Sequence, residues 1–219
     1  MRIRYKSSTE RAYEVLLLNQ QISIPINPSD IKLDNIIIKV FSMQEWTKLH
    51  NISLDELTVK GKCENGYTEF YKTNGVQYAF IFYNTEIDSI ERQRFTIAHE
   101  IGHIALGHKE CCDEYETEAD TFASQLLLPH CILEKLVRSG KIVTETYLQK
   151  TFGLSKQASS ISLKNVGNKI DKQAIAEYED IILKMFDGFI KNETRNTKYY
   201  YDDEADLMDQ KRNDWLNEI

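Results

Sequence analysis

One stretch, Arg94-Phe-Thr-Ile-Ala-His99-Glu100-Ile-Gly-His103-Ile-Ala-Leu-Gly-His108, constrains this chain more than any other. It contains the pattern His-Glu-x-x-His. On a helix, side chains four residues apart share a face, so His99 and His103 can present imidazole nitrogens to one metal ion. Glu100 stands beside the first histidine, where its carboxylate can reach the attacking water rather than the metal. Two zinc ligands and a general base are the core of a zinc hydrolase site. Phe95, Ile97, Ala98, Ile101, Gly102, Ile104, Ala105 and Leu106 make the helix almost wholly apolar, and such a helix is normally buried. Polar groups carried inside on it need partners, and a metal ion is one. The competing interpretation is a core helix whose histidines are hydrogen-bonded within the protein.

A catalytic zinc needs a third protein ligand and one open position. Candidates follow in Glu114-Tyr-Glu116-Thr-Glu118-Ala-Asp120-Thr-Phe122-Ala123-Ser-Gln-Leu126-Leu127-Leu128-Pro129. Ala119, Phe122, Ala123, Leu126 and Leu127 recur at helical spacing, so a second, amphipathic helix ends before Pro129. Glu116 lies one turn before Asp120, on the flank of the apolar face. Facing inward, it can ligate the metal while Asp120 hydrogen-bonds a ligating histidine. Glu118 sits about 200° away around the helix and reads as solvated; it is the second choice for the ligand. His108 lies beyond the helix end expected at Gly107 and misses the H-E-x-x-H-x-x-G-x-x-H spacing of metzincins, so it reads as a capping or surface histidine.

H-E-I-G-H-I-A-L-G-H followed by E-T-E-A-D-T-F-A-S-Q-L-L-L-P resembles the ImmA/IrrE family of zinc metallopeptidases, which pair HExxH with an ExxAxxFAxxLLxP helix and are similar in site design to gluzincins. The resemblance covers most of residues 8–167. It implies an α+β fold: a zincin-like core with a small antiparallel sheet or hairpin against the HExxH helix, then a helical region. It also implies zinc on His99, His103 and Glu116, with Glu100 catalytic. The implied substrate or binding partner is a helix-turn-helix repressor, cleaved to switch on a mobile element or stress genes.

The chain has 219 residues, enough for one domain with an appendage. The expected organisation is a metallopeptidase domain at 1–130, a helix-turn-helix-like region packed on it at 131–191, and an acidic polar tail at 192–219. A net charge of -7 argues against a general binder of nucleic acid or membrane surfaces. The N-terminus has basic residues but no apolar signal core behind them, which points to the cytoplasm. Cys63, Cys111, Cys112 and Cys131 show no C-x-x-C spacing, so neither a zinc ribbon nor a redox pair is indicated.

Taken in order, Ser7-Ser-Thr-Glu10 resembles a capping box opening a helix near 8–19. A short helix is expected at Ser29–Leu33, a strand at Ile36–Phe41, and one or two helices across 43–58. Tyr67–Lys72 and Val76–Tyr83 read as strands joined by Thr73-Asn74-Gly75, a strong hairpin signal. By the family resemblance, the strand leading to the HExxH helix is an edge strand and this hairpin frames the cleft. Tyr78 and Tyr83 are the nearest tyrosines in sequence to stabilise an oxyanion.

Residues 144–167 carry a helix, a Gly153-Leu-Ser155 turn and another helix. Lys156, Gln157, Ser159, Ser160 and Lys164 could face DNA, but arginines are few and the chain is acidic, so packing or substrate docking is the favoured role. Ala174, Ile175, Tyr178, Ile181, Ile182, Met185, Phe186 and Phe189 form a helical stripe suited to packing on the core. Two rivals to the peptidase stand: an antirepressor that sequesters a repressor without cleaving it, and a direct DNA-binding regulator.

Overall fold

The computed structural model describes residues 5–58, 65–86, 89–109, 112–166 and 176–195. Asn74 and Gly75 both take positive φ, 49° and 79°, the twist a two-residue hairpin turn requires. They join β2 (Gly66–Thr73) to β3 (Val76–Tyr83), antiparallel, with Thr73 opposite Val76 and Gly66 opposite Tyr83. β1 (Ile37–Ser42) adds on the other side of β3 and runs parallel to it. The sheet is therefore mixed, in the order β1-β3-β2. Parallel pairing needs a long crossover, and the chain from Met43 onward supplies it through α2 (Met43–His50), α3 (Leu54–Thr58) and β2 itself.

That order corrects one expectation. β3, which leads to the HExxH helix, is central and paired on both sides; among the described residues β1 and β2 are the two edges. Alternation along the strands sorts their faces. Tyr67, Phe80 and Phe82 turn toward α2 and form an aromatic cluster with Phe41 and Trp46 around Met43. Thr68 and Ile81, opposite one another, turn toward the long helix that carries the motif.

That helix is α4 (Ile90–Leu106), capped by Ser89 and closed at Gly107. α5 (Asp113–Leu127) lies against it. The two backbones approach closely at Gly102, where an added Cβ would sit 3.1 Å from the Phe122 ring and 3.2 Å from the Ala119 backbone. α1 (Tyr5–Leu18) covers another side of α5, and the Tyr13 hydroxyl donates to Gln125 Oε1 at 3.1 Å. The capping-box reading is superseded. α1 is already helical at Tyr5, and Ser8 and Thr9 are buried, with the Thr9 hydroxyl donating to the Tyr5 carbonyl at 3.1 Å, a bond that keeps a polar side chain satisfied mid-helix. The helix expected at Ser29–Leu33 is a single 3₁₀ turn, Pro28–Asp30.

α6 (His130–Arg138), α7 (Glu145–Phe152), α8 (Lys156–Asn165) and α9 (Ala176–Met185) complete the fold. Leu136, Leu148, Phe152 and Ile182 join Ile101, Phe122 and Leu126 in one buried apolar cluster. α7 and α8 are joined by the short turn 153–155, with Gly153 at φ 63°. The Arg94 guanidinium pins it to α4, donating to the carbonyls of Phe152 (3.1 Å), Gly153 (2.7 Å) and Ile26 (2.5 Å). Of the C-terminal stripe, Ile182 and Phe186 are buried in the core and Tyr178, Met185 and Phe189 pack against it, while Ile181 is exposed; Ile190, outside the stripe, is buried as well. Ala174, Ile175, Cys63, Cys111 and tail residues 196–219 lie outside the described residues. Cys112 and Cys131 are free thiols. No helix among the described residues is long and apolar enough to cross a membrane.

Candidate metal centre

The four-residue spacing on α4 places the His99 and His103 rings edge to face, with their Nε2 atoms 2.9 Å apart. α5 brings Glu116 to the same point: Oε2 is 3.1 Å from His99 Nε2, and Oε1 is 3.5 Å from His103 Nε2. One ligand atom from each of the three residues falls within a 4.8 Å group. Ligands about 2.0–2.1 Å from a tetrahedral ion stand roughly 3.3 Å apart, so these separations fit a zinc-sized centre. The donors also fit chemically. Two imidazole nitrogens and a carboxylate converge, and a cation satisfies all three at once.

Asp120 accepts the Nδ1–H of His99 at 2.8 Å, which leaves His99 Nε2 as the free lone pair. Glu100 does not join the cluster of ligand atoms. Its Oε2 accepts a 2.7 Å hydrogen bond from the Thr68 hydroxyl on β2, a contact the sequence reading did not anticipate. Alternation on β2 hints at it, because Gly66 also meets α4 at Thr96. Only the sheet order says which helix that face meets.

The electrostatics follow from burial and neighbours. Burial raises the Glu100 carboxyl above its ordinary value, with the Thr68 hydrogen bond and the nearby His99 working against the rise. Burial, together with the charge of His99, pushes His103 down to about 4. Burial also works to lower His99, but its bond to Asp120 and the carboxylates of Glu100, Asp120 and Glu116 outweigh that and raise it. A proton therefore prefers His99, and His103 stays neutral with a lone pair to offer.

A cleft of about 1080 Å³ opens in front of these residues. The edge of β2 (Thr68, Phe70) and α8 (Gln157, Ile161) contribute to its lining with the histidines and Glu116. Glu116 keeps 44% of its side chain exposed, so the centre faces solvent.

Three expectations need correction. Glu118 is not solvated: its side chain is 2% exposed and lies 3.2 Å from His108 Nε2. The side of α5 opposite Glu116 is covered by protein, so an angular count alone misplaced it in water. His108 is not a surface residue either; its side chain is also 2% exposed, and its Nδ1 is 3.0 Å from His103 Nδ1. Tyr78 and Tyr83 do not line the cleft. Tyr78 packs near Phe80 on the sheet face turned toward α2, and burial with the charge of Glu45 raises the Tyr83 hydroxyl pKa.

A family model described as the IrrE N-terminal-like domain, Peptidase_M78, matches residues 53–164, the span from α3 through most of α8. A comparison with curated proteins finds no match.

Proposed function

Because the chain belongs to the IrrE N-terminal-like peptidase family, we propose that it is a zinc-dependent endopeptidase that cleaves a helix-turn-helix repressor in the cytoplasm. The observation that carries this reading is the convergence of His99, His103 and Glu116 at the floor of an open cleft, with Glu100 held alongside by Thr68. His99, His103 and Glu116 would hold the ion, and the same donors suit manganese or iron as well. The ion supplies a Lewis acid that polarises a scissile carbonyl and makes the attacking water acidic near neutral pH.

Glu100 takes the water's proton and returns it to the leaving amine. Burial favours that work, because a base whose pKa lies above the ordinary carboxylate range accepts a proton more readily and still releases it. Thr68 fixes the carboxylate's orientation. Asp120 keeps His99 in the tautomer that turns Nε2 toward the ion. Among the described residues β2 ends the sheet, and such an edge strand suits an extended substrate segment, which adds to the sheet as a strand. α8 faces it across the cleft through Gln157 and Ile161, and this supports a docking role over DNA reading for the helix-turn-helix-like segment. Ser159, one of the residues a DNA reader would expose, is fully buried.

The test co-expresses the chain with the helix-turn-helix repressor encoded beside it, as wild type and as Glu100→Gln. Repressor fragments with wild type alone support the proposal. Intact repressor that co-purifies with both forms would replace it with a sequestering antirepressor.

A further inference from the structure

α4 ends in a Schellman turn. The Gly107 amide donates to the Ile104 carbonyl at 3.2 Å, the His108 amide donates to the His103 carbonyl at 3.0 Å, and Gly107 sits at φ 71°. The turn folds the chain back on the helix, so His108 returns to His103 instead of pointing away. Its ring stacks on Tyr115, with centroids 4.2 Å apart and planes at 7°. Its Nδ1 lies 3.0 Å from His103 Nδ1, and its Nε2 lies 3.2 Å from Glu118 Oε2. The His108 and Glu118 side chains are each 2% exposed.

With Glu118 as a carboxylate and His108 as a neutral imidazole, the protons along this row take one order. As a carboxylate, Glu118 only accepts, so His108 carries its hydrogen on Nε2. A neutral imidazole has one N–H, which makes His108 Nδ1 an acceptor. The hydrogen in the 3.0 Å contact then belongs to His103 Nδ1. His103 Nε2 is left as a bare lone pair, and it is the atom that faces His99 Nε2 and Glu116.

We infer that His108 and Glu118 are positioning residues for the metal centre: through this buried row they hold the His103 ring and its Nδ1–H tautomer so that Nε2 is presented to the ion. The inference rests on the metal-centre reading above. Neither residue belongs to the cluster of ligand atoms, and both act through His103. Asp120 does for His99 in one contact what His108 and Glu118 do for His103 in two. The longer route has a geometric reason. Glu118 lies about 200° around α5 from Glu116, on a side that reaches the end of α4 rather than its metal face.

The test measures zinc affinity of the full chain by competition with a chromophoric chelator, in wild type, His108→Phe and His108→Asn. Phenylalanine keeps the buried ring and the stack on Tyr115 but offers no acceptor. Asparagine loses the stack but places a carbonyl oxygen near the former Nδ1. The positioning role predicts zinc binding weakened about 10–100-fold in His108→Phe, the usual effect of losing a ligand's hydrogen-bond partner, and affinity near wild type in His108→Asn. A packing role predicts the reverse order, and that order would overturn the inference.

A measurement on wild type needs no variant to fold. Long-range ¹H–¹⁵N spectra of the imidazoles should show the proton of His103 on Nδ1 and that of His108 on Nε2; the opposite tautomer at either ring refutes the row. Wild type that binds no zinc brings down the metal-centre reading and this inference together. Tight zinc binding in wild type that persists unchanged in His108→Phe removes the inference alone.

Discussion

Replacing Thr68 with valine keeps the side chain's shape and deletes the only atom that donates to Glu100 from β2. The Thr68 hydroxyl is 2.7 Å from Glu100 Oε2, and a donor at that distance favours the ionised carboxylate. A hydrogen bond to a charged group is worth about 1.5–3 kcal/mol. At about 1.4 kcal/mol per pH unit, its loss should raise the Glu100 pKa by about one to two units. Burial has already raised that pKa above the ordinary carboxylate value, so the variant moves it further in the same direction.

The sign of the stability effect follows. A carboxyl whose folded pKa exceeds its unfolded value binds protons more tightly when folded, so stability falls as pH rises from the unfolded toward the folded pKa. Thr68→Val should therefore be less stable than wild type by about 1.5–3 kcal/mol at pH values above the folded pKa of Glu100 in both proteins. The deficit should fade in the acid range, where Glu100 is protonated in both proteins. The assay is a ¹³C titration of the Glu100 carboxyl in metal-free protein, paired with denaturant unfolding at both ends of the pH range. An unmoved Glu100 titration, or a deficit of equal size at both pH extremes, would refute the reasoning and leave Thr68 as a packing residue.

Zinc affinity should depend on pH in two stages. His99, raised above its ordinary value, is the first imidazole whose proton competes with the ion, so affinity should fall about tenfold per pH unit below that point. His103 joins the competition only near about 4; a two-proton slope starting at neutral pH would contradict the assignment. Gly153→Ala should cost at least about 1–2 kcal/mol for its left-handed backbone alone. The new Cβ would also lie 1.6 Å from Arg94 Nη1, which must give up its hold on the α7–α8 turn. Denaturant unfolding reads this loss, and in an Arg94→Ala background the penalty should shrink toward the backbone strain.

Much of the local chemistry was legible because it depends on short-range periodicity. Four-residue spacing puts His99 and His103 on one face of any helix that forms, and Asn74-Gly75 makes a hairpin turn wherever two strands flank it. Gly107 ends α4 because no side chain opposes its left-handed backbone. The choice of Glu116 over Glu118 to face the histidines was also readable, since it follows from the apolar stripe of α5.

What periodicity does not carry is which face meets which neighbour. Glu118 looked solvated because a helix pattern knows its own angles but not that protein covers that side. His108 looked like a surface residue because sequence distance past a helix end does not reveal that the turn returns the chain. The central place of β3, the edge position of β2 and the reach of Thr68 to Glu100 all follow from β1 pairing across a long crossover. Sequence by itself determined the spacing of the two histidines, the glutamate beside the first and the turns that bound them. Tertiary packing alone decided the buried partners of those histidines and which strand lies at the sheet's edge, because both depend on contacts between segments far apart in the chain.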